Sequence, residues 1–298
     1  PGAHQSLALL AALNIPKDRF LLTSIFGGSI EEFVTVAKIL APVSDGLELN
    51  LSCPHAKGYG MAMGQDPDLV RQITAAVKAV VDIPVIPKLT PNTPDIAKIA
   101  KAAIAGGADG LCAINTAGPG YTSSHGYPVL SNGAGGMSGK GVLPIGLQCV
   151  RDIAAVTDCP IIGCGGVSSA ADVRAYFDAG ASVIGVGSSL TGLTTDEVSA
   201  YFKALSKDLD TDNNRAESHI RYDIDMNFRP VILVENKRIC EDICILTFDR
   251  KINIQAGEFV FLWIPGVGEK PFSALTDDPF TLAVIDVGEF THVLMDLP

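Results

Sequence analysis

The chain has 298 residues, 47% hydrophobic and 18% charged, a globular balance and not that of a disordered chain. Its net charge of -11 argues against a nucleic-acid partner, whose phosphates it would repel. No apolar run approaches the roughly 20 residues that span a bilayer, and the opening residues carry no signal-peptide pattern.

The seven cysteines are odd in number and scattered, which points to free thiols in a reducing cytoplasm. The sequence opens on Pro1 and closes on Pro298 inside an apolar run, so an internal piece of a longer polypeptide is expected.

Six short apolar runs recur along the first two thirds: "FLLTSIFG" (20–27), "GLELNLSC" (46–53), "PVIPKLTP" (84–91), "GLCAIN" (110–115), "PIIGCGGV" (160–167) and "SVIGVGSS" (182–189). Amphipathic stretches such as "IEEFVTVAKIL" and "DLVRQITAAVKAVV" lie between them. Strand alternating with helix predicts parallel strands joined by crossovers, covered on both faces. A doubly wound sheet and an eight-stranded barrel both fit that pattern. Polar residues and glycines decide for the barrel. They close almost every strand: Asn50 and Cys53, Lys88, Asn115, Gly165 and Gly166, Gly187 and Ser188. One mouth lined by many strand ends is barrel behaviour, whereas an open sheet gathers its site at one switch point. Six units are visible. If the glycine pairs close the last two strands, the first two are missing. The prediction is a (β/α)8 TIM barrel over 1–210 that lacks its first two strands.

Residues 211–221, including "TDNNRAESH", predict a linker. From 222 to 298 the runs "RPVILVENKRI", "ICILTFDR", "GEFVFLWIP", "FTLAVIDVG" and "THVLMDL" predict short strands without helices, the start of a small all-β barrel.

Several residues could carry chemistry. Cys53 faces the expected mouth as a base or nucleophile, although a lone cysteine is more often simply buried. Gly58, Gly60 and Gly64 suit a mobile lid after it. Lys88 sits in a strand that should be buried, so it needs an anion: a structural carboxylate, or a ligand that gains negative charge. Asn50, Asn115 and Thr116 could read a planar, amide-bearing ring. Gly165, Gly166, Gly187 and Ser188 let backbone N–H groups approach a phosphate, and "GAGGMSG" (133–139) adds a further backbone approach. Tight turns are the plain alternative. No cluster has metal-ligand spacing; Cys240 and Cys244 fit apolar filling better than half a metal site. In "GEKPFSAL" (268–275), Lys270 and Ser273 could hold a phosphate-bearing cofactor, and "VGEFT" (287–291) offers another backbone-and-hydroxyl site.

The segments "LNLSCPH", "PKLTPN", "AINTAGPG", "PVLSNGAGGMSGKGVLPI", "IIGCGGVSSAADV" and "AGASVIGVGS", in order over residues 20–205, resemble the cytosolic, NAD-linked class of dihydroorotate dehydrogenases. Residues 222–298 resemble the start of that enzyme's electron-transfer subunit, a ferredoxin-reductase relative with a partial FAD-binding barrel. The resemblance implies fusion of the two in one chain and oxidation of dihydroorotate in pyrimidine biosynthesis. Cys53 would take the proton from C5 and FMN the hydride from C6. Asn50, Asn115 and Thr116 would hold the pyrimidine. FMN would lie against Asn50, Lys88, Ile114, Gly139, Gly165, Gly166, Gly187 and Ser188. FAD would lie against Lys270, Pro271, Phe272, Ser273, Gly288 and Thr291, with Lys270 where the family pattern has arginine. The NAD site and the iron–sulfur cysteines would lie beyond this chain, in an oligomeric, cytoplasmic parent, so turnover is assigned to the parent. His55 stands where that family has asparagine. The same "NLSCPH" run occurs in dihydropyrimidine dehydrogenase, which acts on uracil and thymine; "NTAGPG" and "PVLSN" favour the orotate enzyme. A non-catalytic electron-transfer or scaffold subunit is the alternative from another class.

Overall fold

The computed structural model describes residues 2–52, 63–124, 126–211, 228–254 and 259–297. Cys53, the glycines 58 and 60, and nearly all of the expected linker lie outside the described residues. The chain divides into two compact units, 1–118 with 136–222, and 119–135 with 223–298.

In the first unit the six apolar runs are the strands β1 (Leu22–Ile25), β2 (Gly46–Asn50), β3 (Val85–Leu89), β4 (Leu111–Ala113), β5 (Ile161–Cys164) and β6 (Val183–Gly185). They pair in parallel in chain order, β1-β2-β3-β4-β5-β6. Register sets what the sheet presents. Ser24 lies opposite Glu48, Lys88 opposite Cys112, Cys112 opposite Ile162, and Cys164 opposite Gly185. Side chains alternate faces along a strand, so these residues share one face. Leu47, Leu49, Val85, Leu111 and Ile161 share the other and are fully or almost fully buried.

Helices cover that second face. They are α1 (Ala3–Ala11), α2 (Ile30–Leu40), α3 (Pro67–Lys78), α4 (Ile96–Ala105), α5 (Leu143–Ala154), α6 (Ala170–Asp178) and α7 (Thr195–Asp210). Phe33, Ile73, Ile99 and Ile153 anchor α2 to α5 in the core. Local capping fixes where several begin. Ser29 accepts from Glu32 N, Asp66 from Asp68 N and Leu69 N, and Asp95 from Lys98 N. Pro67 opens α3, where a missing N–H costs nothing. Reciprocal caps, Ser169 with Asp172 and Thr194 with Glu197, start α6 and α7.

In the second unit β7 (Leu233–Cys240), β8 (Ile243–Phe248), β11 (Ala274–Asp277) and β12 (Phe280–Ile285) form an antiparallel sheet in the order β7-β8-β12-β11. β9 (Val260–Ile264) and β10 (Gly268–Phe272) form an antiparallel pair. Cys244, Leu246, Phe280, Leu282 and Val284 make a separate core. Cys244 is therefore apolar filling, while Cys240 is exposed.

One expectation is corrected here. The run read as a strand at "THVLMDL" belongs to a helix, α8 (Glu289–Met295), so this unit is not helix-free. Phe290, Leu294 and Met295 are buried at helical spacing, and Thr291 Oγ1 takes the N–H groups of Val287 and Gly288 at its start. The short apolar run carries no period of its own, and that cap decides its conformation.

Candidate active site

The face of the sheet opposite the helices, together with the C-terminal strand ends, lines a half-open cavity of about 460 Å³. That volume falls within the range of roughly 300–1,000 Å³ usual for small-molecule and cofactor sites. Its lining collects Lys88, Ile114, Asn115, Thr116, Gly139, Gly165, Gly166, Gly187 and Ser188, residues that stand up to 100 positions apart.

Two amides meet at the mouth. Asn115 Nδ2 donates to Asn50 Oδ1 at 3.0 Å, and Ser52 N donates to the same oxygen at 3.2 Å. Asn50 itself is not part of the cavity lining; it orients Asn115, which is. Asn115 Oδ1 in turn accepts from Thr116 N at 2.8 Å. A third amide, Asn92, braces the same loop: its Nδ2 donates to Thr116 O at 3.2 Å and its Oδ1 accepts from Gly118 N at 2.9 Å. Asn92 was missed from the sequence, where an amide just past a strand end is the signal. Ser52 Oγ is buried with no hydrogen-bond partner among the described residues, an orphan polar atom at the end of β2.

Lys88 has both an ion-pair partner and a ligand-facing position. Its Nζ lies 3.6 Å from Glu48 Oε2, and Glu48 Oε1 accepts from Ser24 Oγ at 2.8 Å. Lys88 and Glu48 both line the cavity. Burial works against the Lys88 charge, but the fields of Cys112, Cys164 and Glu48 outweigh it and hold the ammonium above the usual lysine range. Glu48 was missed from the sequence, although a carboxylate in the otherwise apolar "GLELN" was the clue.

The glycine pairs differ in what they require. Gly165 (φ 117°) and Gly166 (φ 74°) occupy left-handed backbone. A Cβ at Gly166 would also meet Gly139 O at 2.8 Å, so the two backbones pass in close approach. At Gly187 a Cβ would meet open space, and no steric demand fixes glycine there. Tyr176, fully buried on α6, donates to the carbonyls of Cys164 and Gly165 at 2.9 and 2.8 Å and so fixes the end of β5. At Gly136, within "GAGGMSG", a Cβ would collide with Thr116 Oγ1 at 1.9 Å. Of that segment, Met137, Ser138 and Gly139 line the site.

A planar cofactor with a phosphate tail fits this lining chemically. Lys88 offers a cation to an electron-rich edge, Asn115 an amide, Ile114 an apolar wall, and Gly139 and Gly187 open space for phosphate oxygens. Among the described residues no group of three or more His, Cys, Asp or Glu could hold a metal ion, and no helix is long and apolar enough to cross a membrane.

Residues 8–209 match the family model described as dihydroorotate dehydrogenase. The chain belongs to the dihydroorotate dehydrogenase family. Among curated members of that family, it is 52% identical over 171 residues to dihydroorotate dehydrogenase B (NAD(+)), catalytic subunit, of Pyrococcus horikoshii, covering 57% of this chain and 56% of the relative. It is 47% identical over 192 residues to the protein of the same description from Methanocaldococcus jannaschii, covering 63% of each. The chain thus spans a little over half the length of the curated relatives it matches. Among solved structures, a dihydroorotate dehydrogenase from Eimeria tenella in complex with ferulenol superposes with a TM-score of 0.52 at 21% identity, over 70% of this chain and 66% of that one. Likeness at that identity speaks to fold alone, and with the parallel half-barrel sheet it fits an α/β, TIM-barrel-like domain for this family member.

In the second unit Lys270, Pro271 and Phe272 lie on β10, with Ser273 after it; Lys270, Pro271 and Ser273 are exposed. Phe272 packs on Phe290 of α8, ring centroids 6.0 Å apart. The Thr291 hydroxyl is already engaged by Val287 N, Gly288 N and Asp286.

Proposed function

We propose that the whole protein oxidises dihydroorotate to orotate in pyrimidine biosynthesis, in the cytoplasm, and that this chain carries its FMN half fused to the start of an FAD-binding, ferredoxin-reductase-like unit. Bound FMN would supply the redox chemistry, accepting the C6 hydride and passing electrons on through FAD and an iron–sulfur cluster to NAD. The remaining roles belong to side chains. Cys53 would take the C5 proton; a thiol near its usual pKa of about 8.5 needs modest help to do so near neutral pH. Asn115, held by Asn50, would hydrogen-bond the pyrimidine with Thr116. Lys88 would offset negative charge on the cofactor's edge. Gly139, Gly165, Gly166, Gly187 and Ser188 would leave room for its phosphate, with Ile114 against its ring. Lys270, Pro271, Phe272, Ser273, Gly288 and Thr291 would hold FAD. A domain boundary at 211–221 and an oligomeric parent belong to the same proposal.

What supports this most is that one cavity gathers the cation, the amide and both glycine pairs. The test uses the full-length protein. Its yellow flavin spectrum should bleach anaerobically with dihydroorotate and stay unchanged with dihydrouracil. Bleaching by dihydrouracil instead selects the uracil- and thymine-directed chemistry, and a protein that purifies without flavin selects a scaffold. Cys53→Ser should slow bleaching at pH 7 by at least about a hundredfold, in the range for loss of a general base; an unchanged rate removes Cys53 from the mechanism.

A further inference from the structure

The inner face of the sheet carries two thiols that the proposed reaction does not use. Cys112 on β4 and Cys164 on β5 face the same side, because Cys112 lies opposite Ile162, two residues before Cys164. Their sulfurs are 3.7 Å apart. Cys112 is 2% exposed, whereas Cys164 is half-buried, and both line the cavity. The opposite flank of Cys164 is cleared by Gly185 on β6, where a Cβ would stand 2.9 Å from the Cys164 Cβ. A side chain at 185 would crowd the Cys164 side chain; the glycine leaves it room to turn toward Cys112.

We propose that Cys112 and Cys164 form a redox-active dithiol that hydrogen peroxide converts into an intramolecular disulfide linking β4 to β5. The geometry leaves the sulfurs to close from 3.7 Å to the S–S bond length of about 2.05 Å. Cys164 is the attacking sulfur. The hydrogen bond with Cys112 and the field of Lys88 outweigh burial and the field of Glu48 and favour its thiolate, whereas the same shared bond and burial disfavour that of Cys112. The Cys164 thiolate attacks one peroxide oxygen, the O–O bond breaks, and hydroxide leaves to become water with the proton the thiol gave up. Cys164 is then a sulfenic acid. Cys112 attacks that sulfur, the S–O bond breaks, and a second water leaves with the Cys112 proton. In sum, two thiols lose two electrons and two protons to one peroxide, giving one disulfide and two waters. The step consumes neither flavin nor substrate, but Cys164 opens into the cavity assigned to FMN, so the peroxide reaction is expected in protein freed of flavin.

The test uses the full chain carrying Cys159→Ser, because Cys159 shares the 152–174 tryptic peptide with Cys164. Reduced protein freed of flavin is exposed to peroxide, alkylated under denaturing conditions, digested and weighed by mass spectrometry. The expected product is the 102–140 peptide joined to the 152–174 peptide, lighter than their sum by two hydrogens and separated again by dithiothreitol. Cys149, whose thiol burial pushes up to about 11, should be alkylated at least about tenfold more completely than Cys164 at equal peroxide. Cys112→Ser should abolish the joined peptide and leave a Cys164 sulfenic acid that dimedone captures. Recovery of both peptides separately alkylated while other cysteines oxidise would overturn the proposal, as would Cys164 joined to a third cysteine.

Discussion

Lys88 and Glu48 illustrate how one residue's cost is met by another's. Each charge is expensive in a half-buried site, and together with Ser24 they form a closed set. Lys88→Met should destabilise the protein by about 3 kcal/mol in urea unfolding, since it leaves Glu48 buried and unpaired. The double variant with Glu48→Met should recover most of that loss. If Lys88 serves the cofactor, both variants should still lose flavin on gel filtration, which separates the ligand role from the ion pair. Because Lys88 is raised in the folded state, its stabilising share is complete below about pH 10 and is lost as pH climbs through the raised value. The sequence made Lys88 conspicuous as a cation in an apolar strand. It did not reveal Glu48 as the partner, because the contact crosses from β2 to β3, 40 positions along the chain.

At the scale of the element, the start of α6 depends on Asp172. Its carboxylate accepts from Ser168 N, Ser168 Oγ and Ser169 N, and pairs with Lys140 from the turn before α5. Burial raises its pKa, but the bonds from Lys140 and Ser168 prevail and hold it below the usual aspartate range. Its stabilising share is therefore present above about pH 4 and lost as pH falls through the lowered value. Asp172→Asn should cost about 2–3 kcal/mol at pH 7 by chemical denaturation and flatten the acid limb of the stability curve below pH 4. The cap in "SSAADV" went unassigned from the sequence, although the serine-to-aspartate spacing that makes it is local. The helix at 289–295 was not legible, because seven residues are too few to show a period, and Phe290 and Leu294 are claimed by the core of that unit.

For the whole molecule, two separate hydrophobic cores predict two unfolding events. Leu49→Ala and Leu246→Ala, each emptying a fully buried site, should each cost about 3–5 kcal/mol. In differential scanning calorimetry each should lower a different transition; one shared transition that both variants lower equally would contradict two independent cores.

The sequence by itself determined where the six parallel strands and the amphipathic helices between them lie and that their polar ends fall on one side, because apolar runs, helical spacing and glycine placement act over a few residues; the strands Gly268–Phe272 and Ala274–Asp277 it did not mark. It also carried the family, through motifs spread along the first two thirds of the chain. Only the tertiary structure decided which of those residues meet: Lys88 with Glu48, Asn50 with Asn115, Gly139 with Gly166, Cys112 with Cys164. The register between parallel strands sets those pairs, and it is fixed by burial of the opposite face against the helices, which no local stretch of sequence records.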